Sequence, residues 1–492
     1  MFCGVRLMTS PFVGMGIDET YTAVVARQLK LSYFDHPPLH QWMVHAFSPI
    51  LGYGPWARLP FILMFAGSSW LMFVLTRRLF GGAAGVWGVL TLNLTVFFPI
   101  VAGSWITPDG PLILCLLATA ACLAPIFFPS PMDRPARGAA EARRWLAAGL
   151  WLGLAGLSKY QAVLSAGGLA LFLLTTREGR VQLRRPGAFA GLVLAVLVAS
   201  PALIWNAQHH WASIAFQALR GAPVHALDPL GPVLMLAGQA ALLTPWVFAP
   251  AGFGLWRAAR TGPADAKRWF CLTFAAPAIV LFTADPLFGL IGLPHWSMSG
   301  WLFAFPLAGD LLARQARVPG RRWPYIWAAG GAAALATVWT LFVWDAETGA
   351  LQAVIPAAYR IGNPTLETLS WAGARDELIQ RRLLRPGGFV VAVDWGEAAK
   401  LTLALKGAAP VFVFTPDPRE FGYSPISPAH LGRDAIIVGT ARSMALQLAG
   451  VRPYFRSITP LSPIYIRRNG RAEIRLEVAQ ATQLLRPYPG LL

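Results

Sequence analysis

Three carboxylates and an imidazole stand close together near the start of the chain, in Gly16-Ile17-Asp18-Glu19-Thr20-Tyr21 and Tyr33-Phe34-Asp35-His36-Pro37-Pro38-Leu39. Side chains of these types carry protons to and from reacting groups, although acids in such a place also occur simply as solvated loop residues. The Pro37-Pro38 pair argues for a fixed turn, because each ring locks its own φ and restricts the residue before it. Asp109, in Thr107-Pro108-Asp109-Gly110-Pro111, opens an apolar run; a carboxylate there either caps a helix and complements its dipole or serves chemistry. Lys159, in Gly156-Leu157-Ser158-Lys159-Tyr160, lies between two short apolar runs, so it either snorkels to an interface or binds an anion. The stretch Trp205-Asn206-Ala207-Gln208-His209-His210-Trp211, with Phe216, Gln217 and Arg220 behind it, is amphipathic and aromatic. It suits an element lying in a membrane interface, with the paired histidines also open to a metal. Pro294-His295-Trp296 is a second element of this kind.

The elements that must hold these residues are spanning helices. Of the 492 residues 55% are hydrophobic and 13% charged, with a mean hydropathy of +0.51, whereas a soluble globule is roughly 25% charged. A span needs about 20 mostly apolar residues, and ten such runs are read, two of them short. They lie near Leu59 to Thr76, Ala83 to Val101, Gly110 to Phe128, Trp145 to Leu157, Gln161 to Thr175, Gly187 to Trp205, Pro229 to Ala249, Trp269 to Ala284, Ser297 to Leu312 and Pro324 to Val343. No internal repeat and no matched pair of broken helices, the sign of a secondary transporter, is read. The cysteines show no CxxC pair and read as small packing residues.

The net charge of +18 follows the loops. Lys and Arg are retained on the cytoplasmic side, and one set of loops holds Arg77 and Arg78, then Arg134, Arg137, Arg143 and Arg144, then Arg177, Arg180, Arg184 and Arg185. It continues with Arg257, Arg260, Lys267 and Arg268, then Arg314, Arg317, Arg321 and Arg322. The opposite set holds only Arg27, Lys30, Arg58, Lys159 and Arg220. Topology therefore accounts for the charge without a nucleic-acid partner, and the motifs named above fall on the non-cytoplasmic face. Beyond Asp345 the pattern becomes that of a soluble α/β domain with a partly parallel sheet: strands over Phe389–Trp395, Pro410–Thr415 and Ala435–Gly439, helices over Glu397–Leu405 and Arg442–Leu448. The expected organisation is a multi-spanning domain over 1–344, with an outer loop at about 14–58, and an extracytoplasmic α/β domain over 345–492.

At these residues the sequence resembles the polyprenyl-phosphate-dependent glycosyltransferases related to protein O-mannosyltransferases, lipid A aminoarabinose transferase and lipopolysaccharide galacturonosyltransferases. The resemblance rests on Asp18 to Tyr21, Tyr33 to Leu39, Arg58-Leu59-Pro60, Thr107 to Leu112, Gly156 to Tyr160 and Trp205-Asn206, with Asp394-Trp395 and Asp417 to Tyr423 in the tail. It implies transfer of a monosaccharide from a polyprenyl-phosphate donor to an extracytoplasmic acceptor, with inversion. The acceptor class stays open among envelope glycolipid, glycan, lipid and protein. By the same resemblance the outer loop at about 14–58 forms the active site, with Asp18 as the general base and Glu19 beside it; Asp109 is a second acid that orients acceptor or metal, and Arg58 and Lys159 hold the donor phosphate. Asp35, His36, Tyr160, Asn206 and His295 complete the substrate-binding set. A divalent ion would suit the phosphate chemistry, but the sequence fixes no ligands for one. Relatives carry a spanning helix before the Asp-Glu element, and Met1 to Gly16 is too short to cross about 30 Å of hydrocarbon. A start lying inside that helix is therefore expected. The reading from another class is a transporter or flippase of a lipid-linked substrate, which predicts charges at mid-membrane depth.

Overall fold

The computed structural model describes residues 2–10, 12–130, 138–220, 227–359 and 362–491. Arg134, Arg137 and residues 221–226 of the loop expected at 206–227 lie outside the described residues. Two compact units divide the chain: Met1–Leu29, Gln41–Arg58 and Val338–Leu492 form one, Lys30–His40 and Leu59–Thr337 the other. The segments flanking the Asp-Glu element thus group with the tail, and only the stretch around Asp35 and His36 groups with the helical unit.

The helical unit is built from apolar helices, and the long ones match the expected spans. Five helices among the described residues are long and apolar enough to cross a membrane: Pro55–Phe80, Asp109–Phe127, Pro186–Gln208, Ala266–Phe288 and Trp323–Thr348, the last of which runs on into the other unit. Two runs read as continuous spans are broken. The run from Pro229 bends by 114° between Gly231–Leu243 and Pro245–Ala264, because Pro245 lacks an N–H and Thr244 adopts φ +70°. The run from Ala83 divides into Gly82–Asn93 and a π-helical turn over Phe97–Ala102. The breaks satisfy one another: the Val96 N–H donates to Leu242 O at 3.1 Å and Thr244 Oγ1 donates to Leu94 O at 3.3 Å. Irregular backbone at membrane depth needs such buried partners. Elsewhere small residues let helices approach closely; a Cβ on Gly149 would sit 2.1 Å from Gly191 O. At the far end of helix Asp109–Phe127, Phe172 packs edge-on against both Phe127 and Phe270, which are tilted to one another.

In the other unit, β1 (Phe389–Ala392), β2 (Val411–Val413), β3 (Ala435–Thr440), β4 (Phe455–Arg468) and β5 (Arg471–Leu484) form one sheet in the order β2-β1-β3-β5-β4. The first three strands are parallel, and β5 runs antiparallel to both β3 and β4. Side chains alternate between faces with period two. Val390, Ala392, Ile436 and Val438 pack with Ala398 and Leu401 of helix Trp395–Leu405, whereas Phe389, Val391, Ala435 and Ile437 pack with Met444 and Val451 on the other side. The hairpin β4–β5, which the strands expected from the sequence did not include, turns at Asn469-Gly470 with positive φ at both residues, as a two-residue type I′ turn requires.

Candidate active site

Asp18 and Glu19 both lie in the first turn of helix Ile17–Val25, yet they take different environments. Glu19 is buried and Asp18 exposed, because successive residues point about 100° apart around a helix. Glu19 accepts from the Gly16 N–H at 3.0 Å and closes the helix N-terminus. It also takes a two-pronged bond from Arg58, Nε to Oε1 at 2.7 Å and Nη2 to Oε2 at 2.5 Å. Arg58 gives its remaining N–H groups to Ser10 O, Val13 O and Gly14 O. All five of its donors are therefore engaged within this unit, so Arg58, expected at the donor phosphate, is committed to the loop that carries Asp18. Glu19, expected beside Asp18 in catalysis, is its counter-ion.

The same helix is fixed from the tail. Lys400, buried on helix Trp395–Leu405, donates to Met15 O at 2.6 Å, Glu367 O at 2.5 Å and Leu369 O at 3.3 Å. Tyr21 packs edge-on against Trp395 and Phe421, and its hydroxyl accepts from the Glu420 N–H at 3.1 Å. Arg419 lies over the Trp395 ring at 3.7 Å, and Asp394 caps the helix that bears Lys400 through the Gly396 and Glu397 N–H groups. Asp18 and Glu367 lie within electrostatic reach of one another. Sequence reasoning missed Lys400, and it named Tyr21 only as part of the Asp18 to Tyr21 element, without a role. The available signal for Lys400 was a lone cation in the run Ala398-Ala399-Lys400-Leu401.

The helical unit holds a second cluster. Lys159 Nζ donates to Asp109 Oδ1 at 2.9 Å and Oδ2 at 3.2 Å, with both residues buried. Asp109 opens helix Asp109–Phe127, and Lys159 follows Ala139–Ser158, whose last residue, Ser158, donates to Pro108 O at 2.6 Å. That bond fixes the spacing of the pair. His36 and His295 lie within electrostatic reach of Asp109, and His295 also stacks on Phe97. His40 sits edge-on to His36; burial, then the neighbouring His36, holds its pKa well below the usual imidazole range. Asn206 donates to the Tyr160 hydroxyl at 2.9 Å, which donates to Ser213 Oγ at 2.8 Å, and Gln217 donates to the Asp35 carbonyl at 2.5 Å. The structure thus gathers Asp109, Lys159, His36 and His295 in one cluster and links Tyr160 with Asn206. His209 is absorbed locally, stacked on Trp205 with Nδ1 2.8 Å from Trp205 O. Among the described residues no group of three or more His, Cys, Asp or Glu is arranged to hold a metal ion.

Residues 35–205 match the dolichyl-phosphate-mannose-protein mannosyltransferase family. A lipid A galacturonosyltransferase, RgtD of Rhizobium johnstonii, is 24% identical over 60% of this chain. The match spans 59% of that curated relative's length. The crystal structure of ArnT from Cupriavidus metallidurans bound to undecaprenyl phosphate aligns with a TM-score of 0.65 at 18% identity, covering 97% of each chain. The archaeal oligosaccharyltransferase AglB from Archaeoglobus fulgidus aligns at 0.50 and 12% identity, over 96% of this chain and 73% of its own. These structural likenesses show a shared fold.

Proposed function

We propose that this chain is a polyprenyl-phosphate-dependent membrane glycosyltransferase that transfers one sugar from a polyprenyl-phosphate donor to a hydroxyl on an extracytoplasmic acceptor. The observation that carries this reading is the contrast within one helical turn: Glu19 buried and bonded on both oxygens, Asp18 exposed and held in place. An exposed carboxylate on an over-determined backbone is the arrangement a general base requires. Asp18 takes the proton from the acceptor hydroxyl as its oxygen bonds to the anomeric carbon. The bond from that carbon to the phosphate oxygen breaks on the opposite side, its electron pair leaving with the polyprenyl phosphate, and the centre inverts.

The phosphate gains negative charge as it departs, and a cation that meets that charge lowers the barrier. Lys159 is assigned this role: its ammonium has three donors, of which the Asp109 contacts use no more than two. Asp109 positions Lys159, and His36, Asp35, Tyr160, Asn206 and His295 contribute to substrate binding. Arg58 positions Asp18 through Glu19. The name of the curated relative supports lipid A as the acceptor, and the basic loops support an inner-membrane protein with Asp18 on the periplasmic face. None of the relatives above is a transporter.

The test is transfer of label from a panel of polyprenyl-phosphate sugars to a total envelope extract, comparing wild type with Asp18→Asn. The variant is expected to fold and insert normally and to lose roughly 10²- to 10⁴-fold in transfer rate. Undiminished transfer by Asp18→Asn would remove Asp18 from the mechanism. Absence of transfer from every donor by folded wild type would overturn the activity itself.

A further inference from the structure

Helix Asp109–Phe127 begins at the Asp109 cluster, and 19 residues later its far end meets a different kind of site. Phe128, Pro129 and Ser130 line a cavity of about 500 Å³ whose wall also carries Arg77, Arg78, Lys267, Arg268 and Arg314. These cations come from separate elements: the last turn of helix Leu59–Phe80, the first turn of Ala266–Ala284 and helix Phe305–Ala316. Among the described residues two acids, Asp265 and Asp310, face them. Both are taken up within the wall: Arg268 bridges Asp265 and Asp310, and Arg314 donates to Asp310 at 2.8 Å. Arg77 and Lys267 have no carboxylate partner among the described residues, and Arg77 lies 5.8 Å over the Phe73 ring. The acids therefore organise the wall without neutralising it.

We propose that this cavity binds the phosphate headgroup of an anionic phospholipid of the surrounding bilayer. Three features favour a lipid over a soluble anion. The cavity lies at the ends of apolar spans, about 28 Å along the helix from Asp109, which is the depth of the opposite headgroup layer. Phe80 and Phe128 stand in the same wall as the cations, where acyl chains would pass. Cations drawn from separate helices can converge on one phosphodiester, and basic pockets between spanning helices favour such headgroups. A retention signal alone needs cations in the loops, with no cavity and no acid scaffold between helices.

The experiment uses the full chain purified in a neutral detergent, with thermal unfolding and native mass spectrometry as readouts. The probes are phosphatidylglycerol, phosphatidylethanolamine and inorganic phosphate. Phosphatidylglycerol is expected to raise the unfolding temperature and to remain bound, and phosphatidylethanolamine and free phosphate to do neither. Arg77→Gln with Lys267→Gln should weaken phosphatidylglycerol binding roughly thirtyfold. The charge-matched control Arg177→Gln with Arg184→Gln should leave it unchanged. Equal stabilisation by inorganic phosphate would assign a soluble anion instead of a lipid. Loss of binding in both double variants, or no preference for phosphatidylglycerol in the wild type, would reduce the cluster to a topology signal and overturn the proposal.

Discussion

Adjacent acids in one helical turn have been given opposite work by their environments. The Glu19 and Arg58 side chains are 4% and 3% exposed, and such a pair is stabilising only if its hydrogen-bonding capacity is filled. Here it is filled by the Gly16 N–H on one side and three carbonyls on the other. Arg58→Ala should therefore cost about 3–5 kcal/mol, since it strands a buried carboxylate. Arg58→Lys should recover only part, because an ammonium offers three donors where the fork offers five. Thermal unfolding of the two variants checks this; a Lys variant as stable as wild type would mean the fork geometry is immaterial. The sequence made Arg58 visible as a basic residue beside a motif, but phosphate binding and loop positioning call for the same residue type, and only its carbonyl partners distinguish them.

Lys400 acts between elements. It ties helix Trp395–Leu405 to the segment before helix Ile17–Val25 and to residues 367–369. Burial pushes its pKa down from 10.5 to about 8, against the pull of Glu19 and Glu367. Below about pH 8 the folded and unfolded chains both hold the proton, and the burial penalty is fully present. Above that, up to the unfolded value, the unfolded chain binds more protons, so stability rises with pH across this window. Lys400→Met should flatten that rise in unfolding temperature; a slope that survives the substitution would belong to other groups. At this scale the sequence was legible where periodicity was strong, as in the parallel strands around Val391 and Ile437. It failed where a long apolar run hid a break, since composition does not register that Thr244 and Leu94 complete each other's backbone. The Asn469-Gly470 dipeptide was a readable hairpin signal, obscured by the prolines and arginines of β4.

At the scale of the whole molecule, the tail and the segments around Asp18 form one compact unit. A chain truncated after Gly349 would retain the spanning helices but lose Lys400, Trp395, Glu420 and Phe421. It should insert in the membrane, become sensitive to protease within residues 14–29, and give no sugar transfer. Transfer by the truncated chain would show that the tail is dispensable for holding Asp18. The boundary expected near residue 345 rested on a change in composition, and composition could not reveal that residues 1–29 and 41–58 group with the chain from Val338 onward.

The sequence alone determined the class of environment, the positions of the long spans and the motifs that carry the family resemblance, because burial in lipid and period-two or helical patterning act on residues near one another in the chain. Which carboxylate is exposed, which cation is already occupied and which lysine braces the loop were decided by tertiary structure. Each depends on partners 39 to 385 residues away, and burial and hydrogen-bond saturation exist only once those partners have met.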